Sequence, residues 1–372
     1  MEFKVKREYF QKALMSVGKA VSKKSLMPIL TGVKIEATSD RIMLTGSNGE
    51  FMMKFSITHE ENNYEVLEVG SVVAPSQYLL EVVKKLPGDI HIKTDKNHKM
   101  TIISDEVVTR LSGLHGEDYP KLPEIEAIEA LVITSHDIKE LIKQTRFAAS
   151  TNHSQPVLTG VHWLFESSLL TAIATNSQRL SMKTIMIQES INGSYIVPST
   201  SLNEMLPLID LEAKVELYLS DQFIVLVVGQ IEFYTRLLTG HYPDIKKIIP
   251  TESKTEIIVN RDQFLKGIER ANLLAAQWKN HNVTLVIVGD GQVEISSAPS
   301  EMGEIKEKQR VVEVSGEKEL SITFDGKFME EALKVHVEKQ IRMGFDGNLK
   351  PIILKGMEDT SCIQLISPVL SN

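Results

Sequence analysis

Pro28-Ile-Leu-Thr-Gly-Val33 returns as Pro156-Val-Leu-Thr-Gly-Val161, 128 residues later. A second echo follows the first. Arg110-Leu111 with Tyr119-Pro120 recurs as Arg236-Leu237 with Tyr242-Pro243. Self-similarity at a fixed long period means that a folding unit has been duplicated. The period here is the size of a domain, so the copies read as domains rather than as turns of a solenoid. A more diverged third copy keeps the same order of elements. Each copy opens on an amphipathic helix, expected over 7–21, 136–149 and 261–276. Each carries a second helix starting near Pro75, Pro198 and Asp325, and these starts lie 123 and 127 residues apart. Proline is tolerated in a first helical turn, and aspartate is a natural N-cap.

A chain of 372 residues accommodates two or three domains, and the repeat selects three, at 1–126, 127–250 and 251–372. Between the helices the pattern is that of short strands. Residues 42–55 read as two strands around Ser47-Asn48-Gly49, and 283–288 and 292–296 flank Gly289-Asp290-Gly291. Similar strand pairs are expected within 91–104, 217–228 and 311–324. The expected fold class is therefore α+β, with two helices and about eight mostly antiparallel strands in each of the three domains. Proline and charge mark candidate linkers at 122–130 and 248–256.

Composition narrows the class of function. With 42% hydrophobic and 24% charged residues, the chain has material for three cores. No run approaches the ~18 apolar residues of a membrane span, and the opening Met1-Glu-Phe-Lys-Val-Lys-Arg lacks an apolar signal core. The single cysteine, Cys362, excludes an intrachain disulfide framework and fits a reducing cytoplasm. A net charge of −8 argues mildly against nucleic acid, but the distribution points the other way.

On the first helix Phe10, Leu14, Val17 and Val21 form an apolar stripe, with Lys12, Ser16, Lys19 and Lys23 opposite. In the second, Ile138, Ile142 and Thr145 face inward, and Lys139, Lys143 and Arg146 lie on another face. In the third, Phe264, Ile268 and Ala271 oppose Lys266 and Arg270. Residues 6–24, 136–149 and 261–279 carry +5, +1 and +2, so the remainder of the chain holds −16. Such a chain focuses a positive field on one surface while the rest repels nucleic acid. The bland alternative is that these lysines merely solvate exposed helix faces, a reading weakened by its threefold repetition. Phosphate contacts carry no base information, and no aromatic residue interleaves with the basic stripes, so charge-based duplex binding fits better than base stacking.

Catalytic signatures are missing. There is no Walker loop, no Gly-x-Gly-x-x-Gly, no Cys-x-x-Cys, no His-Glu-x-x-His and no Gly-x-Ser-x-Gly. The pairs His153/His162 and His91/His98 are better explained by solvated loops and strand faces than by metal binding. No catalytic residue, metal or cofactor is expected.

Over its whole length the chain resembles the bacterial β sliding clamp family, the processivity subunit of the replicative DNA polymerase. The likeness rests on Met1-Glu-Phe-Lys-Val-Lys-Arg-Glu8, Leu26-Met-Pro-Ile-Leu30, Gly116-Glu-Asp-Tyr-Pro120, Ala174-Thr-Asn-Ser-Gln-Arg-Leu180, Gly240-His-Tyr-Pro-Asp244 and Ser367-Pro-Val-Leu370. The resemblance implies a non-enzymatic, cytoplasmic homodimeric ring of six domains around double-stranded DNA. It would make Lys12, Lys19, Lys24, Lys139, Lys143, Arg146, Lys266 and Arg270 duplex-facing residues. It also implies a peptide groove between the second and third domains, at Thr175, Ser177, Arg179, Leu180, Pro243, Ile248, Leu365, Pro368 and Val369. The implied clients are the replicative polymerase, the clamp loader, and repair and other proteins carrying a clamp-binding motif. Ring closure would use Thr109 and Leu111 of one copy and Leu273 and Leu274 of the other. The family commonly has Asp at the position of Asn176, His at that of Gln178 and Arg at that of Leu370, so the client preference of this groove is expected to differ. The alternative reading is a cytoplasmic enzyme with its active site between the repeated domains, using Cys362 or a carboxylate pair.

Overall fold

The computed structural model describes residues 1–22, 24–58, 63–121, 123, 125, 129–209, 214–245, 248–250, 252–275, 281–289, 291–297 and 303–369. The first repeat runs β1 (Glu2–Val5), α1 (Arg7–Val17), β2 (Gly32–Ala37), β3 (Ile42–Ser47), β4 (Phe51–Ile57) and β5 (Tyr64–Glu68). It continues with β6 (Gly70–Pro75), α2 (Ser76–Lys84), β7 (Ile90–Thr94), β8 (Lys99–Ser104), β9 (Val107–Ser112) and β10 (Leu114–His115). The second comprises β11 (Leu131–Thr134), α3 (Ser135–Thr145), β12 (Gly160–Glu166), β13 (Leu169–Thr175) and β14 (Arg179–Met186). After these come β15 (Gly193–Pro198), α4 (Ser199–Met205), β16 (Lys214–Leu219), β17 (Phe223–Val228) and β18 (Ile231–Arg236). The third opens with β19 (Thr255–Asn260), α5 (Arg261–Ala275), β20 (Asn282–Ile287), β21 (Gln292–Ser297), β22 (Lys306–Arg310) and β23 (Glu313–Gly316). It ends with β24 (Ser321–Asp325), α6 (Gly326–Val335), β25 (Gln340–Phe345), β26 (Ile352–Gly356) and β27 (Cys362–Ile366).

The helices follow the expected stripes, with shorter ends. Phe10, Leu14 and Val17 are buried on α1, but the α-helix stops at Val17 and residues 18–20 form a 3-10 turn. Val21 therefore leaves the helix in extended conformation. The second helix likewise passes into a 3-10 turn at Arg146–Ala148. Residue 276, the expected end of the third, lies outside the described residues. Pro75 ends a strand and occupies the N-cap position of α2 rather than its first turn. Asp325 caps α6, its carboxylate accepting from the amides of Lys327 and Phe328.

Every ladder among the described strands is antiparallel, and four sheets result. One correction concerns 311–324, expected as a strand pair. Its two strands go to different sheets: β23 pairs with β19, and β24 pairs with β20. Local turn chemistry cannot decide pairing where a distant strand offers a better-matched edge.

Two compact units are present. Met1–His136 with Asn203–Leu237 holds the sheets β5-β1-β7-β8-β9 and β10-β6-β2-β3-β4-β18-β17-β16-β11. Asp137–Leu202 with Leu238–Asn372 holds β15-β12-β13-β14-β27-β26-β25-β19-β23 and β22-β21-β20-β24. Each nine-stranded sheet thus crosses a repeat boundary. β4 of the first repeat pairs with β18 of the second, and β14 of the second pairs with β27 of the third. The same joint, between corresponding strands, is made twice.

A buried histidine in the second unit sets a pH dependence. His336 follows α6 and its Nε2 lies 3.1 Å from the Gln364 side-chain oxygen. Burial holds its pKa below the ordinary 6.5, against the opposing pull of Gln364, Glu338 and Asp359. As pH falls below 6.5 the unfolded chain takes up a proton that the folded one refuses, so stability is lost from there downward. Replacing His336 by Gln is expected to flatten the fall in melting temperature between pH 7 and 5, followed by thermal unfolding. An unchanged slope would mean that other groups carry it.

Candidate functional site

The turn after β13 is built by Asn176. Its side-chain oxygen accepts from the amides of Gln178 and Arg179, both at 3.0 Å, and Ser177 takes a positive φ of 74°. A carboxylate would make the same turn. Asn176 keeps the geometry and removes the charge.

From that turn β14 sends alternate side chains to opposite faces of the sheet. Leu180 lies across from Thr175 on one side and Leu365 on the other, and Leu365 lies across from Ile353. Leu180 and Leu365 are buried with Ile173, Ile245 and Ile353, and Met182, Tyr242, Ile249 and Ile363 pack at the margin. Tyr242 is fixed over the strand end, its hydroxyl accepting from the Thr175 amide at 3.1 Å and its ring stacked on His162. Burial pushes its phenol pKa upward. Ile248 beside this patch is 52% exposed, and Pro243 is exposed. Pro368 sits elsewhere: it bridges Phe324 at the edge of β24, and the Val369 amide donates to Thr323.

Arg179 takes the other face. Its guanidinium donates to Glu331 of α6 and to the Phe147 carbonyl, and it lies over both the Phe328 and Phe147 rings. Its side chain is 10% exposed. A cleft of about 610 Å³ opens here, lined by the loop 149–155, Asn176, Ser177, Gln178 and Arg179, and Lys327, Phe328 and Glu331 of α6. The structure therefore brings Thr175, Leu180, Leu365, Tyr242, Ile245 and Ile249 around an apolar floor. It sets Ser177 and Arg179 at a neighbouring polar cleft, and Pro368 and Val369 along β24. The sequence reading missed Phe147, Glu331 and Tyr242. Only Tyr242 carried a signal, the recurring Tyr-Pro. Leu370 lies outside the described residues.

The basic residues divide by pairing. Lys12, Lys19, Lys24 and Lys266 are exposed and Lys139 is half-buried, none in an ion pair among the described residues. Lys143 pairs loosely with Glu140 at 3.5 Å. Half-buried Arg146 has its pKa lowered by burial, and its Nε has no hydrogen-bond partner among the described residues. Arg270 departs from the expected pattern. Its guanidinium grips Glu307 of β22 through two bonds, at 2.7 and 2.6 Å, and so brings little net charge. Lys23 lies outside the described residues.

Two of the strands that end sheets bear on the expected contact between copies. β9, carrying Thr109 and Leu111, is the last strand of its five-stranded sheet, and its Val107 and Val108 are exposed. β22 is the last strand of its four-stranded sheet. Leu273 on α5 is 72% exposed and Leu274 half-buried. Among the described residues no three His, Cys, Asp or Glu side chains are grouped to hold a metal, and no helix is long and apolar enough to cross a membrane. Cys362 is buried, which pushes its thiol up to about 12.

Three family profiles match in succession: the DNA polymerase III beta subunit N-terminal domain over 1–123, its central domain over 132–244 and its C-terminal domain over 246–370. A beta sliding clamp of Staphylococcus epidermidis is 36% identical over 375 aligned residues, covering 99% of both chains. The DNA polymerase sliding clamp of Bacillus subtilis superposes with a TM-score of 0.96 at 35% identity, over 100% of both chains. The DNA polymerase III beta chain of Streptococcus pneumoniae does so at 0.94 and 32%, again over 100% of both.

Truncating the apolar floor tests its role. Leu365→Ala is expected to cost about 2–5 kcal/mol in stability and to weaken binding of a peptide bearing bulky apolar side chains, measured by calorimetry. Gln178→Ala, exposed at the turn, should leave stability within about 0.5 kcal/mol. Equal peptide affinity in Leu365→Ala and the parent would show that the floor makes no contact.

Proposed function

The chain belongs to the DNA polymerase III beta subunit family, the sliding clamps, and from that membership we propose that two copies close around duplex DNA and tether a polymerase to it. It acts as a non-catalytic processivity factor. The observation that carries the reading is the twice-made joint. A repeat's last strand pairs with the fourth strand of the repeat before it, as β18 with β4 and β27 with β14. In the first repeat the strand equivalent to β18 and β27 is β9, the last but one, and it is left at a sheet edge, as is the third repeat's fourth strand, β22. Pairing β9 of one copy with β22 of another makes the same joint between copies. Two such contacts close a head-to-tail dimer, and closure is what separates a ring from a filament. Leu273 and Leu274 of one copy, with Thr109 and Leu111 of the other, supply apolar contact at that joint.

A closed ring needs no tight grip on its substrate. Lys12, Lys19, Lys24, Lys139 and Lys266, in no ion pair among the described residues, attract phosphates without reading bases, and weak, screened contacts permit sliding. Domains divide at 1–126, 127–250 and 251–372, with the groove at the second junction. Clients present a short linear segment whose apolar side chains bury against Leu180 and Leu365. Candidates are the replicative polymerase, the clamp loader and repair proteins. No nucleotide-binding loop is present in the sequence, so the work of opening the ring falls to the loader. The site of action is the cytoplasm.

Retention on DNA separates a ring from a phosphate binder. Protein put on a nicked circle by its loader should remain through gel filtration and escape when one cut linearises the circle. Equal retention on both would contradict encirclement. Leu273→Asp is expected to turn a species of twice 41.7 kDa into one of 41.7 kDa in sedimentation equilibrium. A mass that stays doubled would remove Leu273 from the interface. Converting Lys12, Lys19 and Lys24 together to Gln should lower the salt dependence of duplex binding by about one unit of log–log slope per lost phosphate contact. An unchanged slope would place these lysines away from DNA.

A further inference from the structure

We infer that the apolar floor continues along β13 and β14 as a track ending in a second anchor point, Leu169 with Met186, and that this track takes the rest of a client's extended segment. The inference rests on the groove reading above and extends it. Strand register lays the track out. β13 and β14 pair Thr175 with Leu180, Ile173 with Met182, Thr171 with Thr184 and Leu169 with Met186. Side chains two residues apart on a strand share a face, so the four pairs stand in line on one side of the sheet. The residues between them point the other way, where Ser181 donates to the Gln144 carbonyl of α3 and Arg179 reaches Glu331 of α6.

Along this line the side chains grade from buried to open. Leu180 and Ile173 are buried with Ile245, and Met182 packs at their margin. At the far end Leu169 is 44% exposed and Met186 is 80% exposed. Between the two patches the hydroxyls of Thr171 and Thr184 bond to each other at 3.0 Å, so this step needs no polar partner from a ligand. Single exposed apolar side chains are ordinary on a protein surface. Leu169 and Met186 are cross-strand neighbours instead, in line with a buried apolar cluster on the same face. β13 and β14 each have a strand on both sides, so an incoming segment cannot join the sheet as a further strand. It lies on the face and binds through side chains. Leu180 and Met186 are six residues apart, about 20 Å along a strand. An extended client covers that span in six residues, an even number that turns its side chain back toward the sheet. The client class is therefore an extended segment with one apolar residue on the floor and another six positions away.

Fluorescence anisotropy on the full-length protein tests this with synthetic peptides. Each carries two adjacent leucines as anchor, a Gly-Ser spacer, and either leucine or serine six positions from the anchor, built in both chain directions. In one direction the leucine peptide is expected to bind about tenfold more tightly than its serine counterpart. Leu169→Ser combined with Met186→Ser should cancel that gain and leave the affinity of the serine peptide unchanged. Equal affinity of the leucine and serine peptides in both directions would overturn the track and leave the groove reading standing. A gain that survives the double variant would do the same. Failure of every peptide to bind the parent protein would bring down the groove reading, and the track with it.

Discussion

Antiparallel pairing between the edge strands of successive repeats is the contact on which this molecule depends. A strand at a sheet edge exposes unpaired amides and carbonyls, which invite a partner. Here a neighbouring repeat supplies it, through β18 at β4 and β27 at β14. The duplication is thereby converted from three small domains into two nine-stranded sheets that cross the repeat boundaries. This is why compactness divides the chain into two units and not three. The middle repeat gives β11 and β16–β18 to one sheet and β12–β15 to the other.

The same alternation that makes a strand makes the candidate groove. On β14 the odd positions Arg179 and Lys183 bond to Glu331 and Asp359 of the third repeat, while Leu180 and Met182 face the opposite side. The bonds to the third repeat and the candidate floor thus lie on alternate residues of one strand. A substitution at Leu180 changes the floor, and one at Arg179 changes the bond between a strand and α6.

Much of this architecture is legible in the sequence because it is local. The stripes of Phe10, Leu14 and Val17, of Ile138 and Ile142, and of Phe264 and Ile268 are set by helical period and are buried. The Asp325 cap needs only its own next three residues. Helix ends are less legible, since Gly18 lets the chain tighten into a 3-10 turn while the apolar spacing still runs on to Val21. Long-range choices are not legible at all. Nothing near Arg270 announces Glu307, 37 residues away, nor near Arg179 announces Glu331, 152 away. Both arginines therefore look free in the sequence and are paired in the fold. The strands within 311–324 read as neighbours for the same reason, although each is claimed by a different sheet.

The account stands on a joint made twice within the chain being made a third time between chains. Imaging the purified protein by electron microscopy tests this most directly. Closed rings of two copies, each showing three similar lobes around a central opening, are the expected particles. Isolated three-lobed arcs, or open filaments of copies joined end to end, would contradict it.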